Sequence, residues 1–330
     1  MPVQQSEMIY RHPLVVSNST TNGGRMSAVA IADDVENNVW PNVPLSERTN
    51  GAILYRKLFL HIANDDDIPF NTPKVFMENY SPGDDNVTLF PAAHDDTQAD
   101  ITGSERLYGC GQLDVTVIAG ATTIDVLTED SALGIFVNGD KIRISNKTDV
   151  EAIGEEEYVT LDAAVTYTGD VAHLSFTPAL ANGYTAASSR VASVIEGSTI
   201  EALVSAWLES GSGTYDEAGN PLLMDSIGSV SQDWTLTFTG ATTFDVVGDT
   251  AGNVGSGTTA GDFSPNNADH SKPFFTLAFA GWAGTWTIGD TITFRTDPAS
   301  ITWWEKRGVP AGASTLGANE VVVAVDGASA

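Results

Sequence analysis

Five histidines, His12, His61, His94, His173 and His270, are the first place to look for chemistry. They are scattered, with no His-x-Glu-x-x-His run or similar ligand spacing, so the sequence assembles no metal centre from them. Cys110 is the sole cysteine and stands between Gly109 and Gly111. A nucleophilic thiol needs a base or cation to lower its pKa, and nothing near it in sequence supplies one. It reads as a small buried residue at a tight domain junction, and a single cysteine excludes an intrachain disulfide. Asp65-Asp66-Asp67, Asp84-Asp85 and Asp95-Asp96 are oxygen-dense turns of the kind Ca²⁺ favours. None follows an EF-hand or a glycine-rich Ca²⁺ repeat, and the expectation is plain Asp-rich turns. A glycosidase needs two carboxyls ~5–10 Å apart, but with 43 acidic residues chance pairs abound. The turns 64–67 and 84–85 each border a strand of one presumed sheet. The reading brings them together at one end of it, their repulsion relieved by a cation or by Arg48 or Arg56. Trp282 and Trp286 are four apart, so on a strand they share a face. Such a face stacks sugars or packs between sheets, and packing is the expectation. No catalytic, cofactor-binding or metal-binding residue is assigned, no cofactor is expected, and the chain reads as non-enzymatic.

The charge balance narrows the partners. Forty-three acidic residues stand against 15 basic ones, for a net charge of −28. That argues against nucleic-acid phosphates and against an anionic membrane surface. The first residues, MPVQQSEMIYRHPLVV, lack a basic segment followed by a long apolar run, so no signal peptide is expected. No stretch approaches the ~18 apolar residues of a membrane span. The glycosylation-like matches at Asn18, Asn86 and Asn146 read as chance in an Asn- and Thr-rich chain. The scarce cations cluster toward both ends: Arg25, Arg48, Arg56, Lys57, Lys306 and Arg307. They either pair internally or dock the chain on an acidic neighbour.

The elements that must position these groups are strands. Short alternating runs recur every 8–15 residues, with abundant Gly and Thr, as in β-sandwiches and small barrels. One phrase occurs twice: LDVTVIAGATTIDV over 113–126, and WTLTFTGATTFDV from 234. Each copy is followed by a Gly-Asp strand, at Gly139-Asp140 and Gly289-Asp290. This predicts two copies of one β-module. Residues 197–211 carry apolar groups at Ile200, Leu203, Val204, Trp207 and Leu208, which is helical spacing. Residues 33–43 read as a short helix or an irregular crossing. The glycine- and polar-rich stretch 248–272 reads as a long contact loop. Residues 17–27 read as a loop or clamp within an extended polar arm, 1–30. With few apolar residues that arm should order against a neighbouring subunit, and its loss should leave the rest folded. Residues 55–62 and 74–80 are strands without partners, and so are Trp303–Lys306 and Glu320–Val325. The economical solution is an all-β, discontinuous Ig-like β-sandwich with inserted, repeated small β-modules. Residues 1–110 and 298–330 form the base, 111–195 the first module and 196–297 the second.

Six segments carry a resemblance. They are NGGRMS (22–27), ERTNGAILYRKLF (47–59), SPGDD (81–85), DTQADITGSERLYGCG (96–111), GDFSPNNADHSKPFFT (261–276) and KRGVPAGAS (306–314). Together they resemble virion structural proteins of tailed bacteriophages and Mu-like prophages. The resemblance implies a virion component and transfers no functional residues. Its expected partners are copies of itself and other virion proteins. Two locations follow: the tail, at its tip, baseplate or fibre attachment, or the capsid or neck as a decoration protein. The tail is the preferred expectation, with the base on the particle and the modules projecting. The rival reading is a glycan-binding adhesin or depolymerase that recognises a host-surface glycan. An exposed Trp282/Trp286 face or a carboxylate pair in a groove would favour it.

Overall fold

The structure, a computed structural model, describes residues 2–32, 35–148, 150, 152–317 and 319–329. It is nearly all β, and the pairings between its named strands are antiparallel. The central element is the strand Ala52–Ile62. Leu54, Arg56, Leu58, Leu60 and Ile62 alternate with Tyr55, Lys57, Phe59 and His61. Nearly all are buried, so both faces of this strand are covered. Ser300–Val309 pairs along its whole length, from Ser300 opposite His61 to Val309 opposite Ala52. The five-stranded sheet runs Gly23–Ala30, Met8–Val15, Ala52–Ile62, Ser300–Val309, Asn86–Pro91. A second layer of Ile195–Glu196, Phe70–Asn79 and Val322–Ser329 packs on one face of it. Leu58, Leu60, Ile62, Val75, Phe76, Met77 and Trp303 fill the space between. Each such fully buried aliphatic side chain contributes about 1.5–3 kcal/mol relative to exposure. Both ends of the chain therefore build one sandwich.

The amino-terminal arm is part of that sandwich rather than a free extension. Met8–Val15 pairs with Ala52–Ile62, and Gly23–Ala30 pairs back on Met8–Val15. Its polar look misleads because Arg11, buried, donates to His61 Nδ1 at 2.9 Å and to the Ala28 carbonyl at 2.7 Å. Asn22, with no exposed surface, donates to the Tyr55 carbonyl and to Gln98, and accepts from the Ser17 amide. Hydrogen bonds replace the missing apolar contacts. Of the stretch 33–43, Asp33 and Asp34 lie outside the described residues, 36–40 are turns, and the short helix falls later, at Leu45–Asn50.

The first inserted unit is a small barrel. Its strands run in the order Thr166–Thr168, Val171–Thr177, Thr123–Leu127, Cys110–Leu113, Arg190–Ser193, Lys141–Ser145, Glu156–Leu161. Closure comes from Phe176 opposite Leu161. The second unit has a five-stranded sheet in the order Leu203–Ser210, Thr291–Asp297, Gln232–Phe238, Thr243–Gly248, Gly252–Thr258. Its core is aromatic: Trp234, Phe238, Phe244, Phe275, Trp286 and Phe294.

Two expectations about this unit are corrected. Leu203–Ser210 is an edge strand, not a helix. Its pairing with Thr291–Asp297 slips by one residue between Ser205 and Leu208, where Ala206 sits at φ +52°. The bulge moves the apolar residues from a spacing of two to one of three or four, which mimics a helix. The stretch 248–272 contains a further strand, Gly252–Thr258, in place of a continuous loop. One of its glycines has a packing cause. A Cβ on Gly257 would lie 2.5 Å from the Phe244 ring and 2.8 Å from that of Phe263.

The repeated phrase marks a shared local device. Gly139 and Gly289 sit at φ +93° and +94°, and the following aspartates accept from the backbone N–H three residues back, Val137 and Thr287. Asp125 and Asp245 both bond a side chain on the next strand, His173 and Ser256. The sheets around the device differ. In the second unit one strand separates the Gly-Ala-Thr-Thr strand from the Gly-Asp strand. In the barrel two do, because Arg190–Ser193 enters beside Cys110–Leu113. The likeness is therefore local and does not extend to whole modules.

Candidate functional site

The sheet ladders decide which candidate groups meet. The turns 64–67 and 84–85 lie at opposite ends of the base sheet. His61 faces Ser300, whereas Asn86 faces Gly308. About eight residues at ~3.3 Å each put roughly 26 Å between those levels. The expectation that the turns share a site fails because Asn86–Pro91 runs antiparallel to Ser300–Val309. Each acidic turn is a tether instead. Asp84 accepts from the Ser314 amide, Asp85 from Ser81 and Asn319, Asp67 from the Ser226 amide, and Asp96 from the Ala93 amide. Asp65 pairs with Lys272 and Asp95 with Arg25. Among the described residues no three His, Cys, Asp or Glu side chains are grouped to hold a metal.

Cys110 is buried against the base core, and burial pushes its thiol up to about 12. Trp282 and Trp286 both turn into the aromatic core, with their ring centroids 5.8 Å apart; Trp286 stacks on Phe238 at 4.2 Å. The second unit thus presents no Trp282/Trp286 sugar-stacking face. Trp303 and Trp304 are buried as well.

One arrangement escaped the sequence. His173 Nδ1 lies 2.7 Å from Asp125 Oδ1, and His173 Nε2 lies 2.9 Å from Thr168 Oγ1. This is the order hydroxyl, imidazole, carboxylate of a nucleophile relay. The signal was cross-strand and so invisible to spacing: Asp125 faces His173 across one ladder, and His173 faces Thr166, two before Thr168, across the next. The three residues lie on the open face of the barrel and line none of its principal clefts. As placed, the three side chains form a hydrogen-bonded row across three neighbouring strands.

A concave site does occur where the base meets the barrel. Three resemblance segments, 47–59, 81–85 and 306–314, converge at this end of the base sheet. The cleft has a volume of ≈ 780 Å³, and Tyr80, Ser81, Asp84, Asp85, Glu129 and Arg190 are among its walls. Asp85 is fixed by Ser81 Oγ and Asn319 Nδ2, each at 2.7 Å. Burial, and then the charge of Asp85, push Glu129 up to about 8. Arg190 lies 5.5 Å from the Tyr80 ring centroid. A carboxyl kept neutral by burial can donate a proton.

The remaining cations hold the fold. Lys57 Nζ donates to the carbonyls of Gly24, His94 and Asp96 at 2.9–3.0 Å, and burial drops its pKa to about 8. Through it the segments 22–27 and 96–111 are pinned over the outer face of the sheet. Arg56 and Arg307 lie over Trp40, and Arg307 donates to the Pro41 carbonyl. Among the described residues every lysine and arginine except Arg48 and Lys306 has a hydrogen-bond or ion-pair partner within the chain. The positive charge is largely spent inside, which leaves an acidic exterior.

No protein-family model and no curated protein matches the chain. Among solved structures, the crystal structure of the infectious bursal disease virus VP2 subviral particle aligns over 87% of this chain and 82% of its own, at 13% identity and a TM-score of 0.11. A likeness that weak carries no argument.

Proposed function

We propose that this chain is a non-enzymatic structural protein of a tailed-bacteriophage or Mu-like prophage virion, an oligomeric assembly component of the tail apparatus. The observation that carries the reading is the placement of the six resemblance segments. Five build the base, and the sixth, 261–276, meets it through Lys272 and His270. The base is thus the common platform, and the barrel and most of the second module are cargo on it. Buried cations and an acidic exterior fit a subunit that contacts proteins and avoids nucleic acid. Mass spectrometry of gradient-purified particles should find the chain at fixed copy number, and cryo-electron microscopy should place it on the tail. Absence from particles overturns the proposal. Density on the capsid or neck converts it to the decoration variant.

A second reading, recognition or cleavage of a host-surface glycan, is favoured by one observation, the Asp85–Glu129 pair in the cleft. A glycan array and a polysaccharide-turnover assay test it, with Glu129→Gln as the comparison. Binding or turnover lost in the variant supports it. No binding and no turnover by the unaltered chain removes it.

A further inference from the structure

Beyond Ile200, which bridges Phe70 and packs in the base core, the second module joins the base without a shared strand and with little shared core. Its aromatic cluster contains no base residue, and no strand of its sheet pairs with a base strand. Two covalent crossings lead in and out, at residues 201–202 and 297–298, since Ile200 bridges Phe70, and Ala299 and Ser300 are held on the base strand Ala52–Ile62. Between them the contact is polar and reciprocal. Arg25, from the base strand Gly23–Ala30, reaches Asp249 at 2.8 Å and Asp233 at 3.4 Å on the module. Arg295, from the module strand Thr291–Asp297, reaches back to Asp95 on the base at 2.7 Å. Asp95 also takes Arg25 at 3.0 Å, which closes the network. Lys272 of the module pairs with Asp65 of the base at 2.7 Å. The Ser226 backbone completes the seam, its amide donating to Asp67 and its carbonyl accepting from His61 Nε2, each at 2.7 Å.

We infer that this seam is an ionic latch, and that the second module swings on residues 201–202 and 297–298 as a unit when the latch is screened or broken. The carboxylates of the seam are substantially solvated, with side chains of Asp95, Asp233 and Asp249 38–59% exposed. Ion pairs of this kind are weak singly and lose strength as the screening length shrinks from ~10 Å at 0.1 M salt to ~3 Å at 1 M. The apolar cores on either side are indifferent to that change. Salt therefore separates opening of the seam from unfolding of the parts.

Pulsed dipolar spectroscopy on spin-labelled chains tests the inference, since the native Cys110 is buried and only introduced cysteines take label. One pair, Thr49→Cys with Thr242→Cys, spans base and second module. A control pair, Thr49→Cys with Thr166→Cys, spans base and barrel; all three sites are exposed. Raising salt from ~0.1 M to ~1 M should broaden the first distance distribution about twofold and leave the control unchanged. Arg25→Gln should produce the broad distribution at low salt, and Arg25→Lys should restore part of the narrow one. A first distribution that is as salt-insensitive as the control, or one unmoved by Arg25→Gln, overturns the latch. If the variant does not fold, the salt series on the labelled parent chain decides alone.

Discussion

The barrel reaches the base through Cys110, Ala192 and Val194, which belong to the same buried apolar cluster as Phe76 and Trp303. The barrel's Arg143, 3% exposed, ties the two together. It pairs with Glu78 of the base and Glu156 of its own unit, and its guanidinium lies 4.4 Å from the Phe76 ring centroid. The second module reaches the base through Arg25, Arg295, Lys272 and their aspartates. Both units are insertions of similar size into one sandwich, yet one junction is a continuation of the core and the other is a salted surface. The difference teaches that insertion alone does not set rigidity. What sets it is whether the entering and leaving strands carry apolar residues across the boundary, as Cys110–Leu113 and Arg190–Ser193 do, or stop short of it.

The strongest way to break this contrast is at Arg143. Arg143→Ala removes the buried cation that pairs with both Glu78 and Glu156, and removal of one partner from a buried pair costs about 3–5 kcal/mol. Urea unfolding should show that loss in the base and the barrel together. A loss confined to the barrel would show that the junction is not shared core.

Next in size is the acid response of the seam. His61 is buried, and desolvation by burial holds its pKa down at about 4, with Arg11 and His270 adding to the depression. A depressed histidine contributes stability that is full above its ordinary 6.5 and is lost as pH falls toward 4. The loss is on the order of 3 kcal/mol at most. Glu305 works in the opposite sense. Burial raises it to about 7, so its contribution is present below its ordinary 4.5 and is lost as pH rises through 7. The clean measurement is the difference between the parent chain and His61→Leu over pH 6.5 to 4. The parent should lose stability more steeply, and equal slopes would remove His61 from the seam's titration.

Arg25→Gln should do less to global stability, about 0.2–1 kcal/mol for each exposed pair lost. Differential scanning calorimetry should show the second module melting separately from a base and barrel that still melt together. A single unchanged transition would count against the contrast. The smallest effect is a null one. Reaction of Cys110 with a thiol reagent should be slow in the native protein and insensitive to salt, because its junction is apolar. Acceleration by ~1 M salt, where screening is nearly complete, would place a charged hinge at the barrel too.

Much of this was legible in the residues. Alternation at 55–62 and Trp303–Lys306 announced strands that lacked neighbours, and their mutual pairing followed from that lack. Cys110 between two glycines read as a packed junction, and Trp282 and Trp286 read as core. The misreadings have physical causes. A bulge at Ala206 disguised a strand as a helix. Arg11 and Asn22 are buried by hydrogen bonds, so the first 30 residues looked too polar to belong to a sheet. The Thr168–His173–Asp125 row and the Asp85–Glu129 pair depend on ladder register and on the meeting of two units, and neither leaves a trace in linear spacing.

The position of Ser300–Val309 has a consequence for how the chain is made. It lies between Ala52–Ile62 and Asn86–Pro91, which do not pair with each other. On the ribosome these two strands emerge with open edges and wait while roughly 200 residues are added, on the order of 10–40 s at about 5–20 residues per second. The barrel and the second module close from local contacts in that interval, and the platform that carries them closes last. For that time each nascent chain displays the edges that invite pairing with another nascent chain. A net charge of −28 sets such incomplete chains against one another. The acidity then protects the chain during synthesis, while the platform waits for its last strand.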